Sequence, residues 1–247
     1  MTATSSCLTL ADRPDREDLS DSFHSQGRVH IPHVLTEESA EIVYHCLVEQ
    51  PEWNLVYNLN GEHVDVSANA VAKWPLKQRQ KLSRLIYQQA RKGFQYCYKA
   101  IPIYDIYHRK LLPEHFFNEL FEFLNGEEFL SLARGVTGFT DIGFCDAQAT
   151  CYEREHFLTA HDDNVKGKGR LAAYVLNLTP TWRTDWGGAL QFTDPQDNPI
   201  GAFRPSYNAL NLFRVPQRHA VEFVTPFAPA PRFAITGWLR SGTDPGG

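Results

Sequence analysis

The chain has 247 residues, 43% hydrophobic and 13% aromatic, enough to bury the core of one large domain. A net charge of −5 offers no basic field for nucleic acid. Apolar runs such as LAAYVL fall far short of the roughly 20 residues needed to cross a bilayer. Five cysteines (Cys7, Cys46, Cys97, Cys145, Cys151), odd in number and without CxxC spacing, argue against a disulfide framework and a structural zinc knuckle. The opening MTATSSCLTLADRPDREDLSD lacks the basic start and apolar stretch of a secretory leader. These features predict a soluble protein of the reducing cytoplasm, with no nucleic-acid or membrane partner.

Residues 1–20, rich in Ser, Thr, Asp and Arg, predict a flexible lead-in. GRVHIPHVL (27–35) alternates as a strand does. Thr36 then serves as an N-cap, with Glu37 and Glu38 in the first turn of an amphipathic helix over 37–49. Residues 53–75 are polar, carry the turn signal Asn60-Gly61 and lack a sustained period, which predicts a short strand and a long loop. Leu76, Leu82, Leu85, Ile86, Ala90 and Phe94 outline a longer helix. PEHFFNELFEFLNG (113–126) predicts a third, opened by Pro113 and closed by Gly126, and EEFLSLARGVTG a short fourth.

From about residue 140 the texture changes. IGFCDAQATCY, GRLAAYVLNL, GGALQF, NPIGAFR, NALNLFR, AVEFV and RFAITGWLR give about seven short β-branched or aromatic segments separated by turn residues. Such spacing predicts a sandwich or barrel rather than βαβ units. Helices first and strands second predict a mainly β fold with a helical layer packed on an antiparallel core.

Two His-x-Asp pairs occur, His63/Asp65 and His161/Asp163. In an extended chain, residues i and i+2 share a face, so either pair offers a nitrogen and an oxygen to one metal. The pattern is common by chance. The first pair lies in the polar 53–75 region, where a solvated loop is the simpler reading. The second precedes a strand, and His219 opens another far downstream. Two histidines and a carboxylate complete a facial triad suited to non-haem Fe(II), although zinc accepts the same ligands. Thirteen residues after His219, Arg232 opens the apolar strand RFAITGWLR, and alternation puts Arg232, Ala234, Thr236 and Trp238 on one face. A buried guanidinium needs an anion, and the strand carries no carboxylate. A dicarboxylate cosubstrate would supply one.

This ordered set resembles the 2-oxoglutarate/Fe(II) dioxygenases, specifically their prolyl 4-hydroxylase-like branch. The resemblance covers 140–241 well and 21–140 loosely. It implies a double-stranded β-helix (jelly-roll, cupin-like) core over 140–241, supported by a helical region over 21–139 within one domain, 21–247. It implies iron ligation by His161, Asp163 and His219, and binding of the distal 2-oxoglutarate carboxylate by Arg232 with Thr236. Tyr152, nine residues before the first ligand, matches the oxoglutarate-facing tyrosine, and Leu190 in WGGALQF matches a pocket-lining leucine. Where relatives often carry a second pocket tyrosine, this chain reads Tyr174-Val175-Leu176-Asn177, so Asn177 or Tyr174 takes that place. The implied cofactors are Fe(II), 2-oxoglutarate and O2, with ascorbate as an accessory. The implied reaction is hydroxylation of an aliphatic C–H, with release of succinate and CO2. A carboxylate at 163 favours hydroxylation over halogenation.

The branch implies a prolyl residue of a protein or peptide as target. A free amino acid or small metabolite is the alternative within enzymes, and a non-catalytic jelly-roll binding module the alternative outside them. A zinc hydrolase leaves Arg232 unexplained. Residues 53–75, with Trp53, Tyr57 and Trp74, read equally as a substrate lid or as an ordinary connection. Asp162, pointing away from Asp163, is expected at the surface or behind the ligands.

Overall fold

The apolar run Arg170–Leu178 is buried almost throughout, and its two faces enter different cores. Ala172, Tyr174, Leu176 and Leu178 face a layer of helices, whereas Ala173 and Val175 face the interior of a curled sheet. A strand buried on both faces must be apolar at successive positions, and this one is.

A computed structural model describes residues 7–246. The first half comprises α1 (Arg16–Gln26), β1 (Arg28–Pro32), α2 (Glu37–Val48), β2 (Asn54–Leu59), β3 (Glu62–Ser67), α3 (Ala68–Ala72), α4 (Leu76–Ala90), β4 (Tyr96–Ile101), α5 (Ile103–His108), α6 (Phe116–Leu124) and α7 (Glu127–Thr137). The second half is β5 (Ile142–Cys145), β6 (Gln148–Tyr152), β7 (Phe157–His161), β8 (Arg170–Leu178), β9 (Leu190–Thr193), β10 (Pro199–Phe203), β11 (Tyr207–Arg214), β12 (His219–Val221) and β13 (Arg232–Ser241).

All thirteen strands belong to one antiparallel sheet, ordered β1-β11-β8-β13-β6-β4-β7-β12-β9-β10, with β2 and β3 added beside β4 and β5 beside β13. The two ends of this path approach each other. The Arg28 guanidinium on β1 donates to the Ile200 carbonyl on β10 at 2.8 Å and lies 4.9 Å from the Phe192 ring. The sheet is therefore a nearly closed jelly-roll barrel, as expected. Its outer wall carries the main core, where Ile31, Leu176, Leu210 and Ile235 meet Phe117, Leu120, Phe129 and Val136 of the helices. No helix among the described residues is long and apolar enough to cross a membrane.

Several expectations need correction. The predicted flexible lead-in is packed from residue 7 onward; residues 1–6 lie outside the described part. Leu8 and Leu10 are buried, Leu10 bridges Leu35, and Leu19 and Phe23 anchor α1 one turn apart. Four apolar side chains outweigh a polar average. The region 21–139 is not purely helical support, because it contributes β1 through β4 to the sheet. The 53–75 region is a hairpin, β2–β3, followed by the short helix α3, not a strand and a loop. Asn60 and Gly61, both at positive φ, form the tight turn that this pair of residues favours. Phe94 lies beyond α4 and is exposed. The core holds nine strands because Asp146 interrupts IGFCDAQATCY and because FLTAH is itself a strand. Thr36 caps α2 as read, its hydroxyl accepting from the Ser39 amide at 3.3 Å.

One buried side chain ties the lead-in and β1 to the barrel. Asn208, at φ 51°, accepts from the Leu35 amide at 2.9 Å and donates to the Leu35 carbonyl at 2.8 Å. Replacing Asn208 with Ala strands both backbone groups and puts a Cβ-only residue in the left-handed region. We expect a loss of about 2–4 kcal/mol in urea unfolding, against little change for the exposed control Asn198→Ala.

Candidate active site

The site begins with a register. In the antiparallel pair β7–β12, His219 lies directly opposite His161, and the two rings sit 4.2 Å apart. Directly opposed residues have close Cβ atoms, so the ladder itself brings the imidazoles together across 57 intervening residues. Each ring is oriented by its own backbone. His161 Nδ1 lies 3.0 Å from the Thr159 carbonyl, and His219 Nδ1 lies 2.8 Å from the Gln217 carbonyl. Both Nδ1 atoms are thus set up as donors, leaving the Nε2 lone pairs directed at one point.

Asp163 faces that point, but not through strand alternation. β7 ends at His161, and Asp163 sits at φ 62°, a conformation Asp tolerates better than most residues. Arg170 Nη1 donates to the Asp163 carbonyl at 3.0 Å, and Asp162 Oδ1 accepts from the Asn164 amide at 3.0 Å, closing the turn. Asp162 is exposed, as expected, and shapes the loop. The Asp163 oxygens lie 3.3 Å from His161 Nε2 and 3.4 Å from His219 Nε2. One donor atom from each residue falls within 4.8 Å of the others, a spacing that one metal ion can share.

The protonation states suit a metal. Burial raises the Asp163 carboxyl, but the hydrogen bond to His161 and the neighbouring His219 and His161 outweigh it and hold the pKa below the usual carboxylate value. The Trp238 indole lies against the same carboxylate, although its N–H is outside hydrogen-bonding geometry. Burial and the adjacent His161 push His219 down to about 4. A charged carboxylate with a neutral imidazole is the donor set a divalent ion requires.

A cavity of about 560 Å³ opens over this cluster. Tyr152, Leu190, Thr236 and Arg232 line it, together with the three donors. Arg232 is 2% exposed, and its Nε and Nη1 have no hydrogen-bond partner among the described residues. Its guanidinium lies 5.2 Å from the Tyr152 ring, which stacks at 4.8 Å on Tyr98. A dry, uncompensated guanidinium calls for an anion, and the carboxylate of a 2-oxo diacid fits it. Gly187 and Gly188 leave room on this side. A Cβ on Gly187 would strike the Phe223 carbonyl, and one on Gly188 would crowd Trp182 and Val224.

Asn177 departs from expectation. Although it shares a face with Val175, it lies outside the cavity lining, and its amide donates to the Val175 and Ala209 carbonyls at 3.3 Å each. Tyr174 reaches the cavity, with its hydroxyl donating to the Asp146 carbonyl at 2.9 Å. His63 stands at the rim, 2.7 Å from the Tyr96 hydroxyl, whereas Asp65 takes no part in the site. Sequence reasoning missed Tyr96, Tyr98, Gln148, Thr150, Arg170 and Phe213. The alternation Tyr96/Tyr98 and Gln148/Thr150/Tyr152 was available as a signal. The placement of the Arg170 guanidinium 3.4 Å over the Trp238 ring was not.

An antiparallel jelly roll thus holds two histidines and a carboxylate, a donor set suited to a divalent metal, in one cavity with a buried arginine. A family model described as the 2OG-Fe(II) oxygenase superfamily matches residues 147–240. The mouse prolyl 3-hydroxylase OGFOD1 is 30% identical over 120 residues, covering 46% of this chain and about a fifth (22%) of that protein. A prolyl hydroxylase from Trichoplax adhaerens, solved with a hypoxia-inducible-factor oxygen-degradation-domain peptide, has the same fold. Its TM-score is 0.60 at 18% identity, over 92% of this chain and 89% of that one. The non-haem alpha-ketoglutarate-dependent epimerase SnoN of nogalamycin biosynthesis also shares it, with a TM-score of 0.56 at 11% identity over 93% and 84%.

Behind the Arg170–Trp238 stack lies Asp146. Its Oδ1 accepts from the Trp238 amide at 2.7 Å, and its Oδ2 is 3.7 Å from Arg240 Nη1. Burial raises this carboxyl to about 6, above its unfolded value, so the folded state holds the proton more tightly. Stability from this group is present at low pH and declines as pH rises from about 4 to about 6. Asp146→Asn removes that decline. Relative to the parent, the variant should gain stability between pH 4.5 and 7, by at most about 3 kcal/mol. Urea unfolding of both proteins at the two pH values measures the difference.

Proposed function

We propose that this chain hydroxylates an aliphatic C–H of a prolyl residue within a protein or peptide, consuming 2-oxoglutarate and O2. The observation carrying the oxygenase chemistry is the unpartnered, buried Arg232 in the same cavity as the His161–Asp163–His219 cluster. His161, Asp163 and His219 would hold the iron, and Arg232, with Thr236 and Tyr152 beside it, the far carboxylate of 2-oxoglutarate. When bound, the iron supplies the oxidising power that inserts one oxygen into the C–H bond while 2-oxoglutarate leaves as succinate and CO2.

The chain's own residues do the positioning. The Nδ1–H bonds of the two histidines fix their tautomers and aim Nε2 inward. Arg170 holds the Asp163 backbone, and its guanidinium on Trp238 forms a rigid wall beside the ligands. Val175, Leu190 and Phe213 keep the interior apolar, which excludes water and strengthens the Arg232–carboxylate contact.

A peptide target is supported by the similarity to OGFOD1 and to the peptide-bound prolyl hydroxylase, and by the mouth itself. There the β2–β3 hairpin, through His63, and the half-exposed Phe94 flank the entrance. The SnoN likeness shows that the same scaffold also serves an epimerase, so a small metabolite is the competing substrate class. We infer that residues 7–246 act as one unit, because β1 and β4 complete the barrel. We also place the chain in the cytoplasm, in keeping with its five free cysteines.

Anaerobic addition of Fe(II) and then 2-oxoglutarate to the purified chain should produce a visible metal-to-ligand charge-transfer band. Asp163→Ala and His219→Ala should abolish it. Arg232→Met should keep iron binding but weaken 2-oxoglutarate at least ~30-fold, the size of losing about 2 kcal/mol or more from a buried charge pair. No band from the parent protein would reject the oxygenase reading. Prolyl peptides that never gain an oxygen by mass spectrometry, alongside a free amino acid that does, would reject the peptide target.

A further inference from the structure

Eight of the chain's 24 Lys and Arg fall between residues 66 and 104, and none of its 29 Asp and Glu does. The remainder therefore has 16 basic residues against 29 acidic ones, a net −13. Half of the segregated charge lies on α4, and Arg91 is its C-cap. This helix turns Leu82, Ile86 and Ala90 toward Leu55, Tyr57 and Cys97 of β2 and β4. Lys77, Lys81, Arg84 and Arg91 recur four, three and seven residues apart on the opposite side, and all four are exposed. Lys99 is neutralised by Glu153 at 2.6 Å, whereas these four have no ion-pair partner among the described residues. A solvated helix of this kind commonly intersperses Glu at i+4; here Lys77 and Lys81 repel each other instead.

The stripe leads to the active site. Arg91 caps the helix, Lys92 is exposed beside it, and Phe94 is 48% exposed with its ring 5.3 Å from His161. The 15 residues of α4 extend about 22 Å, matching six or seven residues of extended peptide at ~3.3 Å each. Lys77, Lys81 and Arg84 recur about every 5–6 Å along the axis and Arg91 about 10 Å further, against ~6.6 Å between alternate side chains of such a peptide.

We propose that the solvent face of α4 is a docking rail for an acidic polypeptide segment flanking the residue delivered to the iron site. The proposal rests on the peptide-substrate reading above and names the charge of that peptide. Attraction between opposite charges selects the segment and speeds its encounter, while each exposed contact is individually weak. A nucleic acid fits less well. The rest of the chain repels polyphosphate, and the stripe carries no aromatic side chain on which bases could stack.

The test uses the full chain and labelled peptides of equal length, each centred on one proline, with Glu, Gln or Lys at alternate flanking positions. Fluorescence anisotropy should show the Glu peptide binding at least tenfold tighter than the Gln peptide, with the advantage shrinking as salt rises. The triple variant K77E/K81E/R84E should erase that advantage while thermal unfolding stays that of the parent. The neutral variant K77Q/K81Q/R84Q should lose most of it and serves if the reversed one misfolds. Equal affinity for Glu and Gln peptides, or an advantage surviving both variants, overturns the rail. So does a single-stranded RNA that outbinds the Glu peptide and is released by the same substitutions. Incubating the peptides with Fe(II), 2-oxoglutarate and O2 separates the two readings. Tight Glu-peptide binding without oxygen gain would reject the prolyl target and keep the rail; equal oxygen gain in Glu and Gln peptides would do the reverse.

Discussion

The site depends on one cross-strand pair. His161 ends β7 and His219 begins β12, and their direct opposition in the ladder sets two imidazoles 4.2 Å apart. Strand register has a period of two, so a slip of one residue would point a histidine at the opposite face. The register is secured by burial on both sides. Phe192 and Phe213 pack around His219, and Phe94 covers His161. Everything else is placed relative to that pair. Asp163 reaches it by leaving the strand, Arg232 lies deeper in the cavity, and the mouth opens above.

Around this pair the chain concentrates polar groups that would be costly elsewhere. Arg232 is buried with unsatisfied nitrogens, Asp146 is a buried carboxyl raised to about 6, and Asp163 occupies left-handed backbone. The jelly roll tolerates these because its outer wall is a large apolar core shared with five helices, while the inner face is free to be specialised. Strands such as β8 serve both, with alternate residues assigned to stability and to the cavity.

Much of the site was legible because its residues break the local grammar. An Arg in an otherwise apolar strand, a His-x-Asp before one and paired glycines at the head of another are each locally unfavourable, so their joint occurrence is informative. Where no local rule was broken, reading failed. Leu8 and Leu10 hid in a polar lead-in, and the β2–β3 hairpin hid behind residues that alternate weakly. Tyr96 and Tyr98 sat just past the helix outlined by Leu76 to Phe94, in a segment to which no element was assigned. Asn177 was read into the pocket because it stands where relatives of the resembled family often carry a tyrosine, on the strand face it shares with Val175. The structure shows that height along the strand also matters, since its amide is taken by backbone carbonyls below the cavity.

The sequence alone pointed to an antiparallel sandwich or barrel, to His161, Asp163 and His219 as candidate donors and to the need for an anion at Arg232, because periodicity, residue chemistry and uncompensated charge are local properties; the jelly roll itself was implied by the family resemblance. Only the tertiary structure decided that Asp163 arrives through a positive-φ turn, that Arg170 lies on Trp238, and that the cations of α4 form one exposed stripe ending at the mouth. The contact of Arg170 with Trp238 joins segments far apart in the chain, and the Asp163 turn is closed by side chains whose partners no local pattern names. The basic residues of 66–104 show the difference most plainly: their clustering is written in the sequence, and folding brings the end of the helix that carries half of them to Phe94 at the cavity.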